Sequence, residues 1–572
     1  MKLYLKTLTP LHIGSDVTIE LSDYVVYQNT YYRIPNQLAI KFAQENQLTN
    51  KFSQWISDIA NKINDLEEKV RDKKQKDKKY NERLSKLRKE YNPYEFFKQY
   101  NLEKNFLKLL QEDASVLKIP LPSKQIPDTE IREQIKNAKS EAYIPGSTIK
   151  GSIRTALLYA WLRKQNNHFK IAELLQESLE HSKKQKNIKS FGEQIEQEAF
   201  YCGIEDRNQI KYSEEKFDLM KLLLISDAVL VAPQNPFTLA KSNLFLTNST
   251  MQTQSPWLEA IASYCVFEFH LDFNIQFLFA LKPLIKNDAV TVQGKKEWIK
   301  IVSKCKQLFG IDPLELNENN LEEKKKQVLN NVLQAIQQFS NAQIEHDKKW
   351  KSKIRQHDDP KSKNQIFNPE KIDYSFLENK KVINLGFASG FTATTEFLYF
   401  LSIPELKDEI KNVMEFFEIG KRKTKDKKEE KPYEANPDAF PKSRTMIEME
   451  DKILPLGWTE IISEKEFSLE ALSSQQENVF VPISEPKKTE PTYYTGKIEK
   501  LKNQTVQGIC ISKDPKNPKN KLIKLFVGEP GKEPVLSVSY ASDLPTDKLV
   551  EVRVTNVQKD KITSIQFVRF VE

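Results

Sequence analysis

Lys150 and Arg154 follow the turn Tyr143-Ile144-Pro145-Gly146-Ser147 and lie four residues apart, a spacing that puts both cations on one face of a helix. A glycine-containing turn that runs into a helix can bind phosphate, because the first backbone N–H groups lack partners within the helix and its dipole favours negative charge there. Ser147 is placed to cap such a helix. Ile149, Ile153, Ala156, Leu157 and Ala160 form the opposite, core-facing stripe, while Thr148, Gly151, Ser152 and Thr155 make a surface of small residues that another backbone can approach. Gly151 within a helix costs about 1 kcal/mol relative to alanine, which argues for a packing or binding purpose. The loop Leu385-Gly386-Phe387-Ala388-Ser389-Gly390-Phe391 offers a second glycine-rich approach, and Pro441-Lys442-Ser443-Arg444 adds two cations. Taken alone, the helix start suits a nucleotide, a substrate phosphate or a nucleic-acid backbone equally well.

Bond-breaking chemistry has fewer candidates. His12 is the foremost, since a pKa near neutrality suits acid–base cleavage of RNA. It stands, however, inside Leu8-Thr9-Pro10-Leu11-His12-Ile13-Gly14, a turn that reads as structural. His168, His181, His270, His346 and His357 are scattered, with no HExxH pattern, and His357-Asp358-Asp359 lies in a Lys/Asp/Pro-rich stretch that reads as solvated. The four cysteines, Cys202, Cys265, Cys305 and Cys510, are far apart and suggest small core residues rather than a zinc ribbon or disulfide framework. No catalytic residue, metal or cofactor is expected.

The elements that must position these residues are numerous, since 572 residues at about 150 per domain suggest three or four domains. A composition of 39% hydrophobic and 29% charged residues is that of a soluble protein, and neither a membrane-length apolar span nor a leader is evident, so a cytoplasmic location is expected. The net charge of +9 is modest for this length, so the placement of the cations carries more information than their number. Lys2 to Leu8 alternates as a half-buried strand, Tyr24–Tyr27 and Tyr31–Ile34 form a hairpin, and Pro35-Asn36 opens a helix. A charged helical insertion follows at about 58–92, with helix again from Tyr143 towards Phe217. New strands are predicted at Leu222–Leu230 and Val266–Phe273, then helix from Lys295 to Ile354 and a disordered basic loop at about 420–433. The tail from 491 carries short β-prone runs, including Tyr493–Lys500, divided by polar or Pro/Gly turns, the pattern of a small OB-like barrel. The reading is an α+β chain divided at 1–220, 221–485 and 491–572.

Leu8-Thr9-Pro10-Leu11-His12-Ile13-Gly14-Ser15 and the Tyr143–Arg154 segment together resemble the CRISPR RAMP superfamily, and within it the Csm subunit that caps the crRNA 3' end in type III-A effector complexes. Ile225-Ser226-Asp227-Ala228, the Leu385–Phe391 loop, Pro441–Arg444 and Leu456-Gly457-Trp458 follow in the family's order. The resemblance implies two RRM-like (ferredoxin-like) RAMP domains with helical insertions, binding of crRNA, and contacts with neighbouring Csm subunits, both the backbone RAMP and the small subunit. It also implies a non-catalytic role that supports trimming by a recruited host nuclease. Gly146, Ser147, Lys150, Gly151, Arg154, Gly386, Ser389 and Gly390 would line the crRNA path, joined by Lys442 and Arg444. The charged insertion and the β-rich tail are departures from the family pattern. Two alternatives stay open: a RAMP endoribonuclease that processes CRISPR precursor RNA through His12, and a RAMP subunit of a Cmr-type complex.

Overall fold

In the computed structural model the described residues are 1–71, 90–121, 129–164, 168–185, 192–206, 209–212, 215–252, 256–355, 365–421, 433–449, 451–467, 498–514, 517–527, 533–539, 549–558 and 561–570, with a few isolated positions between them. The N-terminal alternation becomes the strand Lys2–Thr7, with Leu3 and Leu5 buried. It lies between two strands far away in sequence. Val266–Phe273 pairs with it antiparallel in the register Leu3↔Phe269, and Trp458–Ser463 in the register Leu5↔Ile461. The sheet continues through Ala228–Ala232 to Tyr143–Ile144 on one side and ends at Val382–Asn384 on the other. In Val266–Phe273 the residues Phe267, Phe269, Leu271 and Phe273 are buried while His270 is exposed, as a strand with one wet face requires.

A second sheet runs in the order Gln365–Ile366, Thr250–Gln252, Phe237–Leu246, Trp257–Ile261, Ile131–Gln134 and Gly14–Ile19, with Ser443–Met449 also paired to Phe237–Leu246. The helix Gly146–Lys164 lays Ile149, Ile153, Ala156 and Leu157 into the main core, and the long helix Leu321–Ser352 packs along it. Burying such aliphatic side chains is worth about 1.5–3 kcal/mol each, which outweighs the roughly 1 kcal/mol that Gly151 costs the helix.

The sequence predicts separate domains at 1–220 and 221–485, and here the structure differs. Met1–Ser468 is one compact unit, because the first sheet interleaves strands from both stretches. Leu222 ends a 3-10 turn, so the predicted strand at 222–230 resolves into Leu223–Ile225 and Ala228–Ala232. The helical stretch predicted at 295–354 begins with the strand Lys295–Glu297 and divides into helices Ile301–Phe309 and Leu321–Ser352. Of the charged insertion, Thr49–Arg71 is helical and residues 72–86 lie outside the described residues, as do 422–432 of the basic loop.

Leu469–Glu572 forms a second unit. Its five antiparallel strands stand in the order Val535–Ser539, Asn517–Leu525, Thr505–Asp514, Leu549–Gln558 and Lys561–Phe570, around Val506, Ile523, Leu525, Val550, Val552 and Val554. The first and last strands of that order also touch. Of the run predicted as a strand at 493–500, Ile498–Leu501 is a 3-10 turn.

Candidate nucleic-acid interface

The start of the helix Gly146–Lys164 is satisfied from within. Gly146 N–H donates to Asp227 Oδ1 at 2.7 Å, and the amides of Thr148 and Ile149 donate to Pro145 O at 2.9 and 3.3 Å. Ser147 therefore lies inside the first turn and is not the predicted cap. Gly146 serves close packing, since a Cβ there would stand 2.8 Å from the carbonyl oxygens of Ile225 and Ser226. A phosphate at this point would meet a carboxylate and amides already bonded, which corrects the anion-binding reading of the helix start.

Lys150 and Arg154 do share a face, but that face turns inward. Lys150 Nζ donates to Leu223 O at 2.8 Å, and burial lowers its pKa. Arg154 joins Glu196 (Nε to Oε2, 3.0 Å) and Asp218 (Nη1 to Oδ2, 2.8 Å), with its guanidinium 4.3 Å from the centre of the Phe200 ring. Phosphate pairing by Arg154 is thus replaced by an internal ion-pair network. Glu396 stands next to this network: a Cβ on Gly192 would lie 2.7 Å from its Oε1, and burial, with a smaller push from Glu196, lifts its pKa to about 7.

That placement has a measurable consequence. A carboxyl whose folded pKa lies above its unfolded value stabilises the fold relatively below the unfolded pKa and loses that contribution as pH rises through the folded one. With an ordinary value of 4.5, the full penalty at Glu396 is present above about pH 7. Glu396→Gln is expected to raise stability at pH 8 by on the order of 3 kcal/mol, the gain shrinking towards pH 4.5. Denaturant unfolding across that range checks it, and a gain independent of pH would contradict it.

The opposite flank of the helix is open. Gly151 is exposed, and no heavy atom lies within 4 Å of the position a Cβ would take. Next to it, Ser152 Oγ donates to Asn384 O at 3.1 Å and ties the helix to the start of the second glycine loop. In that loop Gly386 has φ +74°, and a Cβ on it would come within 2.4 Å of His12 O. Phe387 N–H donates to the same oxygen at 2.8 Å. Gly457, with φ +79°, would place a Cβ 2.0 Å from Leu385 O, and its N–H donates to Pro10 O at 2.9 Å. Trp458 N–H donates to Thr9 Oγ1 at 3.1 Å. The three motifs at 8–14, 385–391 and 456–458 thus interlock backbone to backbone, and glycine stands where the chains pass too closely for a side chain.

His12 is sealed inside this interlock. It is 2% exposed, and its Nδ1 lies 2.7 Å from Glu259 O, an acceptor, so Nδ1 carries the proton. Burial pulls its pKa below the usual value. Arg444 is internal too, with Nε 2.9 Å and Nη2 2.5 Å from Asp347 Oδ1 and Nη2 3.2 Å from His346 Nδ1, which corrects its reading as a phosphate ligand. Lys442 Nζ donates to Gly420 O at 3.3 Å and sits 5.6 Å from the Tyr433 ring centre. Ser389 and Gly390 remain partly exposed, and a Cβ on Gly390 would meet only Arg444 Nη1, at 3.3 Å.

One residue escaped the sequence reading. Arg132 is exposed on the strand Ile131–Gln134 and lies 5.3 Å from the centre of the Phe387 ring, with no ion pair among the described residues. Arg132 follows the fully buried Ile131 in that strand, so its side chain faces outward, but nothing local places it against the Leu385–Phe391 loop. Ser152, next to Gly151, is bonded to Asn384 at the start of the loop that carries Gly386, Ser389 and Gly390, while Gly146, Lys150 and Arg154 face the Leu219–Asp227 side of the helix.

Among the described residues no group of three His, Cys, Asp or Glu side chains is arranged to hold a metal ion, and no helix is long and apolar enough to cross a membrane. No curated protein matches the chain. Among solved structures, it is similar to a chain of a cryo-EM structure of a Csm–crRNA–target RNA ternary complex of a type III-A CRISPR–Cas system, at 19% identity and TM-score 0.48, covering 81% of this chain and 100% of that one. It is also similar to T. onnurineus Csm5, at 17% identity and TM-score 0.46, covering 80% and 100% respectively. The RAMP superfamily model matches residues 4–526, a span that holds all of the interlocked motifs, and the chain belongs to the RAMP superfamily.

Proposed function

We propose that this chain is a crRNA-binding subunit of a type III-A (Csm) CRISPR effector complex, holding the 3' part of the guide RNA without cutting it. Its partners are then the crRNA, the neighbouring backbone RAMP and small subunits, and a host nuclease recruited for trimming. The observation that carries the reading is the surface around Arg132, Phe387, Ser389, Gly390 and Gly151. It offers an exposed arginine, an aromatic ring beneath it, and glycines that leave room for a ribose–phosphate chain, while the nearest imidazole is buried. Such a surface contacts the backbone and carries little base readout, which suits a subunit that must accept many guides.

We read the C-terminal unit as OB-like, because its first strand lies between the second and fourth and its edge strands touch. For the RNA path, Arg132→Glu and Ser389→Glu are each expected to weaken binding by about tenfold across unrelated guide sequences. Arg132→Glu should also make the salt dependence shallower by about one unit of log–log slope. Gel-shift titrations at several salt concentrations measure both effects. Wild-type affinity in both variants would remove the RNA role from this loop.

A further inference from the structure

We propose that the cleft between the C-terminal half of helix Leu321–Ser352 and the segment Leu398–Ile410, about 450 Å³ in volume, is a nucleotide site. Its size falls in the range of small-molecule pockets, and its walls divide into two kinds. Tyr159, Leu398, Phe400, Ile403 and Phe440 supply an apolar side suited to a base. His346 and Lys349 on the helix and Lys353 at its C-cap, three and four residues apart, present donors along one side, and Lys407 also lines the cleft.

The charges in the cleft are not equivalent. Lys407 is paired with Asp438 at 2.5 Å, and Lys353 Nζ donates to Asp438 O at 2.5 Å. Lys349 is exposed and its ammonium has no ion pair or hydrogen bond among the described residues, so it is free for a phosphate. His346 is set by its neighbour. Arg444 can only donate, so the 3.2 Å contact from Nη2 makes Nδ1 the acceptor and leaves the ring proton on Nε2. Asp347 anchors Arg444 in turn, and burial, followed by the fixed positive charge of Arg444 next to the ring, keeps the imidazole neutral. The imidazole thereby offers the cleft a neutral donor. Glu345 supplies an acceptor, which disfavours a bare anion and suits the hydroxyls of a ribose. A phosphate, a ribose and a base together match this set of groups better than inorganic phosphate does.

A nucleotide can come from two sources: free in solution, or as the terminal residue of an RNA chain. The full-length protein titrated by calorimetry with AMP, inorganic phosphate and a short oligoribonucleotide separates them. AMP is expected to bind more tightly than phosphate, and Lys349→Glu, at an exposed position, to weaken AMP by about tenfold or more. Competition between AMP and the oligonucleotide for a Lys349-dependent site supports a bound RNA terminus, and AMP binding that the oligonucleotide does not displace supports a free nucleotide. The absence of AMP binding, or AMP binding indifferent to Lys349→Glu and to a second variant, Lys353→Glu, overturns the proposal. Arg132→Glu is expected to leave AMP affinity unchanged, so failure of the RNA track and failure of this site are distinguishable.

Discussion

Gly457→Ala is expected to cost the larger unit most of its stability, on the order of 4–5 kcal/mol or more. Two independent penalties combine there. The left-handed φ of +79° disfavours any residue with a Cβ by about 1–2 kcal/mol. The second penalty is larger, because the new methyl would stand 2.0 Å from Leu385 O, a backbone atom that cannot rotate aside. Relieving that contact means moving the Leu385–Phe391 loop, breaking the 2.9 Å bond from Leu385 N–H to Gly457 O, and loosening Trp458, which is 1% exposed. Gly151→Ala is the matched control. It adds a methyl to an exposed helix position with nothing within 4 Å, and is expected to stabilise by about 1 kcal/mol. Denaturant unfolding of both variants measures the contrast, and a Gly457→Ala protein as stable as wild type would contradict the interlock.

Arg154→Met is expected to destabilise by roughly 3–5 kcal/mol, the scale on which removing one partner of a largely buried ion pair leaves an uncompensated charge. The side chain is 22% exposed and Asp218 15%, so water replaces little of the lost interaction. Methionine keeps much of the apolar contact with Phe200 but donates nothing to Asp218 or Glu196. A double substitution, Arg154→Met with Asp218→Leu, should recover part of the loss, because it removes the orphaned carboxylate as well. Guide-RNA affinity of the folded single variant is expected to stay at the wild-type level. A variant of undiminished stability that has lost RNA affinity would return Arg154 to the phosphate role that its spacing suggests.

The contrast between those two roles shows what the chain discloses by itself. Period-two alternation at Lys2–Thr7 and Val266–Phe273, and the aliphatic stripe of Gly146–Lys164, are local properties, and each became the element its pattern predicts. The spacing of Lys150 and Arg154 put them on one face, but which way that face turns depends on partners elsewhere. Arg154 meets Glu196 and Asp218, 42 and 64 residues away, and Gly146 meets Asp227, 81 residues away. No periodicity announces such pairings. The same limit explains the domain boundary, since a strand that begins at Lys2 and pairs near residues 266 and 460 welds together stretches that read as successive. Gly146, Gly151, Gly386 and Gly390 were legible as sites of close approach, but the approaching groups at Gly146 and Gly386, as at Gly457, are this chain's own carbonyls, leaving Gly151 and Gly390 as the open ones.

On the proposed function RNA is held rather than cut, and His12 is a packing residue. The most direct measurement incubates the purified full-length protein with an end-labelled repeat-containing RNA, with and without divalent metal, and follows binding and integrity together. The expected result is salt-sensitive binding of guides of unrelated sequence, with RNA recovered intact under both conditions. Metal-independent cleavage at a defined position that disappears in His12→Ala would contradict it.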